Sequence, residues 1–164
     1  MPIVLTPQQR RDCIDRIRRF PADLEAAIHG LTEEQLTARY DPTEWSVAQN
    51  VHHVVDSHMN AYIRTRLILT EDNPRVTAYK QDLWAELPDA KTPAVETSLH
   101  ILRGLHARWT QLLDSLQPGD FARRGIHPDS DDYSIDNIVN TYARHGAGHI
   151  EQLQRQLAAG AKIG

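Results

Sequence analysis

The stretch SVAQNVHHVVDSHMNAYIRTRLIL, residues 46–69, decides the fold class. Ser46 followed by Gln49 is a capping-box pattern, in which each side chain satisfies a backbone N–H that the first helical turn leaves without a partner. No proline or glycine follows until Pro74. Val47, Val51, Val54, Val55, Tyr62, Leu67 and Leu69 supply the apolar positions of one long helix, about 46 to 69. TEDNP at 70–74 breaks it.

Working outward, the same grammar repeats. Toward the N-terminus, Thr6-Pro7 is a cap followed by proline at the first helical position, where its missing N–H costs nothing. Pro21 predicts an interruption, with one helix to about Arg19 and a second from Pro21 to His29, closed by Gly30. Thr32 and Gln35 form another capping box at a short helical turn. Toward the C-terminus, a short helix is expected around Lys80–Glu86, before Pro88. Thr92-Pro93 opens a long helix to about Leu116, stopped by Pro118-Gly119. Residues 120–133, containing GIHPDSDDY, read as an exposed loop, and Ser134 caps a last helix over about 135–158. No run of β-branched or aromatic residues alternates cleanly, so no sheet is expected. The fold class is therefore all-α: one domain over residues 1–164, a four-helix bundle with short extra helices in its connections.

Composition narrows the functional classes. The 164 residues are 40% hydrophobic and 24% charged, ordinary globular values. Eighteen Lys and Arg against 22 Asp and Glu give net −4, which argues against a nucleic-acid partner. The single cysteine, Cys13, excludes an intrachain disulfide and a Cys-rich zinc site, and nothing near it beyond a diffuse run of arginines suggests a lowered pKa. No long apolar stretch marks a signal peptide or membrane anchor, so a cytoplasmic protein without membrane contact is expected.

The unusual number is nine histidines. His145 and His149 stand four apart, so a helix stacks their imidazoles on one face with about 6 Å between Cβ atoms. The string is HGAGH, without the intervening glutamate of a zinc-protease helix. Gly146 and Gly148 each cost ~1 kcal/mol in a helix interior, and close approach of another helix or a ligand is one reason to accept them. His52 and His53 are candidates for a third ligand. His53 has the better face, near Gln49, Asn50, Asp56 and Asn60, and Asp56 is placed to accept from it. Three histidines and open positions make a catalytic rather than structural metal site, although a hydrogen-bonded histidine cluster would satisfy the same spacing. His58, His100 and His106 lack a histidine partner at three or four and read as packing residues. His127, in the loop before Pro128, is placed either to close over a cavity or simply to be solvated. Trp45, Trp84 and Trp109 read as core or interface anchors.

The strings EWSVAQNVHHVVDSHMNAYIR (44–64), LILTEDNP (67–74), LWAELPD (83–89), GLHARW (104–109), IHP (126–128) and YARHGAGHIEQL (142–153) closely resemble the DinB/YfiT-like superfamily, its YfiT-type branch above all. The resemblance implies an up-down four-helix bundle holding one divalent metal ion, zinc or nickel, on three histidines. Carried over position by position, these are His53, in the WSxxxxxxH pattern that begins at Trp45, and His145 and His149 in HxxxH. Family members often have a further histidine directly after the first ligand of that element, where this chain has Gly146. The resemblance also implies a homodimer, for which Trp84 and Leu87 are candidate anchors unless they line the pocket mouth. It implies transfer of a low-molecular-weight, bacillithiol-like thiol to a small electrophile, with hydrolysis by a metal-activated water as the alternative. A non-catalytic metal-stabilised helical module is the rival from outside enzymology. Sequence does not say whether His106, His127 or Tyr79 helps in the chemistry.

Overall fold

The structure, a computed structural model, describes residues 3–161. Helix α1 spans Pro7–Ile28, α2 Glu33–Thr37, α3 Val47–Thr70, α4 Gln81–Trp84, α5 Val95–Asp114 and α6 Ile135–Gly160. Single 3-10 turns lie at Pro88–Lys91 and Asp120–Ala122. Both expected capping boxes form, at Thr32 and Ser46; the Thr6 cap proves to be a third, completed by Gln9, and Ser134 accepts the N–H of Asn137 to start α6. Gly30 takes φ +76° after α1, the left-handed geometry expected of it. Among the described residues there are no named strands, and no helix is long and apolar enough to cross a membrane.

Three local expectations need correction. Helix α1 does not stop at Arg19 but runs through Pro21. Proline cannot return an N–H to the carbonyl four residues back, yet the Ile17 carbonyl is not orphaned, because His106 Nδ1 donates to it at 2.6 Å. Helix α5 begins at Val95, two residues after Pro93. Thr92 does not cap it: the N-cap is Ala94, without a side-chain cap, and the Thr92 hydroxyl accepts only the Ala94 N–H at 3.3 Å. Segment 120–133 is not merely an exposed loop. Ile126 exchanges backbone hydrogen bonds with Pro74 and Val76, Gly125 donates to the Tyr133 carbonyl, and Phe121 and Tyr133 are buried.

The four long helices make a bundle in which α1 packs on α5 and α6, and α3 packs on the same two. Their directions are not a simple alternation. His52 meets Ser98 and His58 meets His106, so α3 and α5 run parallel. Arg10 meets Asp136, and a Cβ at Gly146 would meet Phe20, so α1 and α6 also run parallel. The order is up, down, down, up. What permits it is the connection over residues 71–94. That much extended chain reaches roughly 80 Å, twice what is needed to return along a 24-residue helix about 36 Å long.

Two apolar clusters fill the bundle. One joins the start of α1 and α6 to the ends of α3 and α5, around Ile17, Ile68, Trp109, Leu113 and Ile138. The other joins the opposite ends, around Leu24, Val47, Val51, Leu102 and Leu153. Asp136, 2% exposed, anchors the first: Arg10 grips both carboxylate oxygens at 2.7 and 2.8 Å, and the Leu5 N–H donates to one of them at 3.0 Å. Hydrogen bonding to this carboxylate raises the Arg10 pKa further. Between the two clusters lies a layer of histidines.

Candidate metal centre

Antiparallel packing of α3 on α6 brings His53 opposite His145 and His149. One nitrogen from each ring falls within 4.8 Å of the other two, the only such His/Cys/Asp/Glu group found among the described residues. His53 is buried and the α6 pair half-buried. Ring centroids lie 4.5 Å apart for His145–His149 and 4.8 Å for His53–His149. The Trp45 indole packs against His53 at 4.6 Å and lies parallel to His149 at 6.5 Å, walling the site with apolar surface.

Burial drives all three imidazoles toward their neutral form. It lowers the pKa of His53 and of His145 to about 3, with His149 nearby adding to the effect in each case, and it lowers that of His149 as well. Neutral imidazole is the form that binds a metal. The hydrogen bonds go further. Asn50 donates through its amide nitrogen to the carbonyl of Ser46 at 3.1 Å, which turns its oxygen toward His149 Nδ1 at 2.9 Å. An amide oxygen only accepts, so His149 carries its hydrogen on Nδ1 and presents a bare Nε2. That nitrogen faces His145 Nε2 at 3.2 Å, while His145 Nδ1 is engaged by His58 at 3.2 Å. Tetrahedral ligands at zinc–nitrogen distances sit about 3.3 Å apart. The donor set therefore fits a divalent cation.

The histidines that sequence left as packing residues form the layer behind. His58 is fully buried and His106 is 1% exposed. His58 Nδ1 lies 2.8 Å from His106 Nε2, and His58 Nε2 reaches His145. Nothing in the spacing within α3 or α5 reveals this, because each partner comes from another helix. His52, the alternative third ligand, points elsewhere: its Nε2 donates to the Thr92 carbonyl at 3.0 Å and its Nδ1 accepts from Ser98 at 2.8 Å. It pins the long connection to α5. Asp56 forms no hydrogen bond with His53. It lines a separate cavity with His52, Trp84 and Leu87, where burial raises its pKa. The outer partners of the ligand histidines are instead Asn50 and His58. His100 is exposed, with Nδ1 donating to the Glu96 carbonyl, and burial raises the pKa of Cys13.

Gly146 answers to close approach: a Cβ there would lie 2.4 Å from the Phe20 ring of α1. Gly148 has nothing within 4 Å of where its Cβ would be, so its place is not explained by packing.

A cleft of about 360 Å³ opens beside His145, lined by Ser57, Arg64, Tyr79, His127 and Tyr142 among others. His127 stacks on Tyr133 at its mouth, 4.6 Å between centroids. Tyr79, buried enough to push its pKa up to about 12, has no hydrogen-bond partner for its hydroxyl. Arg64 is 6% exposed and has no ion pair among the described residues. Its guanidinium donates to the Tyr133 hydroxyl at 3.2 Å and to the Thr77 carbonyl, and its Nε has no partner. Asp129, exposed at the rim, is the one carboxylate on the lining.

Comparison with known proteins supplies the family. The DinB superfamily matches residues 16–153. A proposed metal-dependent hydrolase of Bacillus mycoides (strain KBAB4) is 45% identical over 147 residues, covering 88% of this chain and 84% of its own. One of Bacillus cereus (strain AH820) matches to the same extent. YfiT from Bacillus subtilis, described as a probable metal-dependent hydrolase with an unusual four-helix bundle topology, superimposes with a TM-score of 0.90 at 36% identity, over 95% of this chain and 90% of its own. The family match spans most of the chain, and the relatives share nearly its whole length. The chain belongs to the DinB superfamily.

Proposed function

We propose that the protein is a metal-dependent hydrolase that takes a small substrate with an acidic group into the cleft beside His145. The observation that carries this reading is the convergence of His53, His145 and His149, with neutral imidazoles, beside a cleft whose lining includes His145. A divalent ion on three imidazoles lowers the pKa of bound water toward 7 and polarises a carbonyl or phosphoryl oxygen. The residues of the chain supply the rest. His53, His145 and His149 hold the ion, and Trp45 keeps one side dry. The free hydroxyl of Tyr79 is available to donate to a substrate oxygen. Arg64 supplies a buried cation without a carboxylate partner, a costly arrangement that a substrate carboxylate or phosphate would relieve. Hydrolysis takes precedence over the thiol transfer expected from sequence because the relatives are described as hydrolases.

The test is protein loaded with zinc or with nickel, offered a panel of esters, amides and phosphoesters with and without an acidic group. The expected result is metal-dependent hydrolysis, lost in His149→Ala together with the bound metal, and weakened mainly through KM in Arg64→Gln. A parallel arm supplies thiols with monochlorobimane. Conjugation there, with no hydrolysis of any panel member, overturns the reading in favour of thiol transfer. If the folded, metal-loaded protein is inert in both arms, the non-catalytic module is the better account.

A further inference from the structure

We propose that His106 and His58 are positioning residues that, anchored on the Ile17 carbonyl left free by Pro21, fix His145 in the tautomer whose bare Nε2 faces the metal site. The inference rests on His145 being a metal ligand, as in the function proposed above, and reaches beyond it to what sets the ligand's protonation pattern.

Direction enters the chain of hydrogen bonds at one point. In an α-helix the carbonyl of Ile17 would accept the N–H of residue 21, and proline has none. His106 Nδ1 takes its place at 2.6 Å. A carbonyl cannot donate, so His106 carries its hydrogen on Nδ1 and, being neutral, leaves Nε2 as an acceptor. Burial lowers the His106 pKa to about 4. His106 Nε2 lies 2.8 Å from His58 Nδ1, which must then be the donor. His58 Nε2 is left bare and faces His145 Nδ1 at 3.2 Å, so His145 donates from Nδ1 and keeps Nε2 free. Reversing any link sets two lone pairs or two hydrogens against each other in a place closed to water. With His149 ordered independently by Asn50, both α6 ligands carry the same tautomer.

The surroundings suit a fixed relay. Phe20 stacks on His58 at 5.2 Å and packs on His106 at 5.7 Å, while the edges of Trp109 and Tyr142 close on His58 at 6.2 and 4.9 Å. No carboxylate forms an ion pair with either ring among the described residues, which leaves nothing to compensate an imidazolium. Gly146 is what admits Phe20 to this position. A second-layer partner that orients a metal-binding histidine is typically worth 10–100-fold in metal affinity.

The experiment reads the tautomers directly. Metal-free protein labelled with 15N histidine, at mildly alkaline pH, gives two-bond 1H–15N correlations that distinguish a protonated ring nitrogen from a bare one. The expected wild-type pattern is Nδ1 protonated and Nε2 bare at His106, His58 and His145 alike. His106→Leu removes the acceptor for His58, and should scramble the His145 pattern and weaken zinc binding 10–100-fold in chelator competition. His106→Gln can still donate to Ile17 and accept from His58, and should restore both the pattern and the affinity. Wild-type His145 protonated at Nε2 overturns the proposal outright, whatever the variants do. So does a folded His106→Leu protein with unchanged spectrum and affinity, or a folded His106→Gln protein as impaired as His106→Leu. Undiminished zinc affinity in His145→Ala instead sinks the ligand assignment, and the wild-type spectrum still decides the relay.

Discussion

Polar groups are buried in two parts of this bundle, and the two treat them in opposite ways. At the starts of α1 and α6 the account is closed: Asp136 receives both prongs of Arg10 and a backbone N–H, and the charge is matched where it lies. In the histidine layer the account is left open. His145 and His149 aim Nε2 at each other, and among the described residues Arg64 has no carboxylate and Tyr79 has an unused hydroxyl. A closed network holds a fold together, whereas an open one gains only when something else binds. The contrast teaches that burial alone does not mark function; what marks it is burial with an unfilled valence.

The largest effect should come from breaking the closed end. Asp136→Ala leaves the Arg10 guanidinium, 14% exposed, without its partner and should cost about 3–5 kcal/mol in urea unfolding. Zinc affinity of the folded variant should stay as in wild type. A large fall in affinity at full folding would show that the two regions are not separable.

Next is acid. His106 has a folded pKa near 4 because burial disfavours its charged form, against about 6.5 when unfolded. Between these values the unfolded chain binds the proton and the folded chain does not. Its contribution is therefore present above pH 6.5 and is lost as pH falls toward 4. A gap of this size is worth on the order of 3 kcal/mol. Metal-free protein unfolded in urea at several pH values should lose stability over that window, and His106→Gln should lose less. Equal slopes for the two proteins would remove His106 from the set of groups responsible.

The smallest effects come from a pair of glycines on α6. Gly146→Ala drives a methyl against Phe20 and should destabilise by about 1–3 kcal/mol. Gly148→Ala meets nothing and should stabilise by up to about 1 kcal/mol, the ordinary helix preference for alanine. If Gly148→Ala instead slows turnover, that position serves approach to the site rather than packing, and thermal melts beside kinetics will tell.

Part of this architecture is legible in the sequence. The capping boxes at Thr32 and Ser46 are local hydrogen bonds between residues three apart, so the sequence states them directly. The i, i+4 spacing of His145 and His149 is likewise a property of one helix. What sequence could not state is anything that depends on which helices touch. The parallel run of α3 and α5 comes from a connection whose path no local pattern dictates. The pairing of His58 with His106 crosses 48 positions in the chain. Pro21 misleads for the same reason. It is a stop signal while its only consequence is a lost hydrogen bond inside α1, and ceases to be one when α5 supplies the missing donor.

The contact between Phe20 and Gly146 carries a consequence for the evolution of the family. The two positions are a single variable written at two places in the chain. A relative with histidine in place of Gly146 cannot also keep a phenylalanine ring where Phe20 lies, so the pair should change together among homologues. Grafting that histidine into this chain alone should fail, and grafting it together with Phe20→Ala should succeed. Covariation between positions 20 and 146, rather than conservation at either, is then the sequence trace of how a given member seals the floor beneath its histidines.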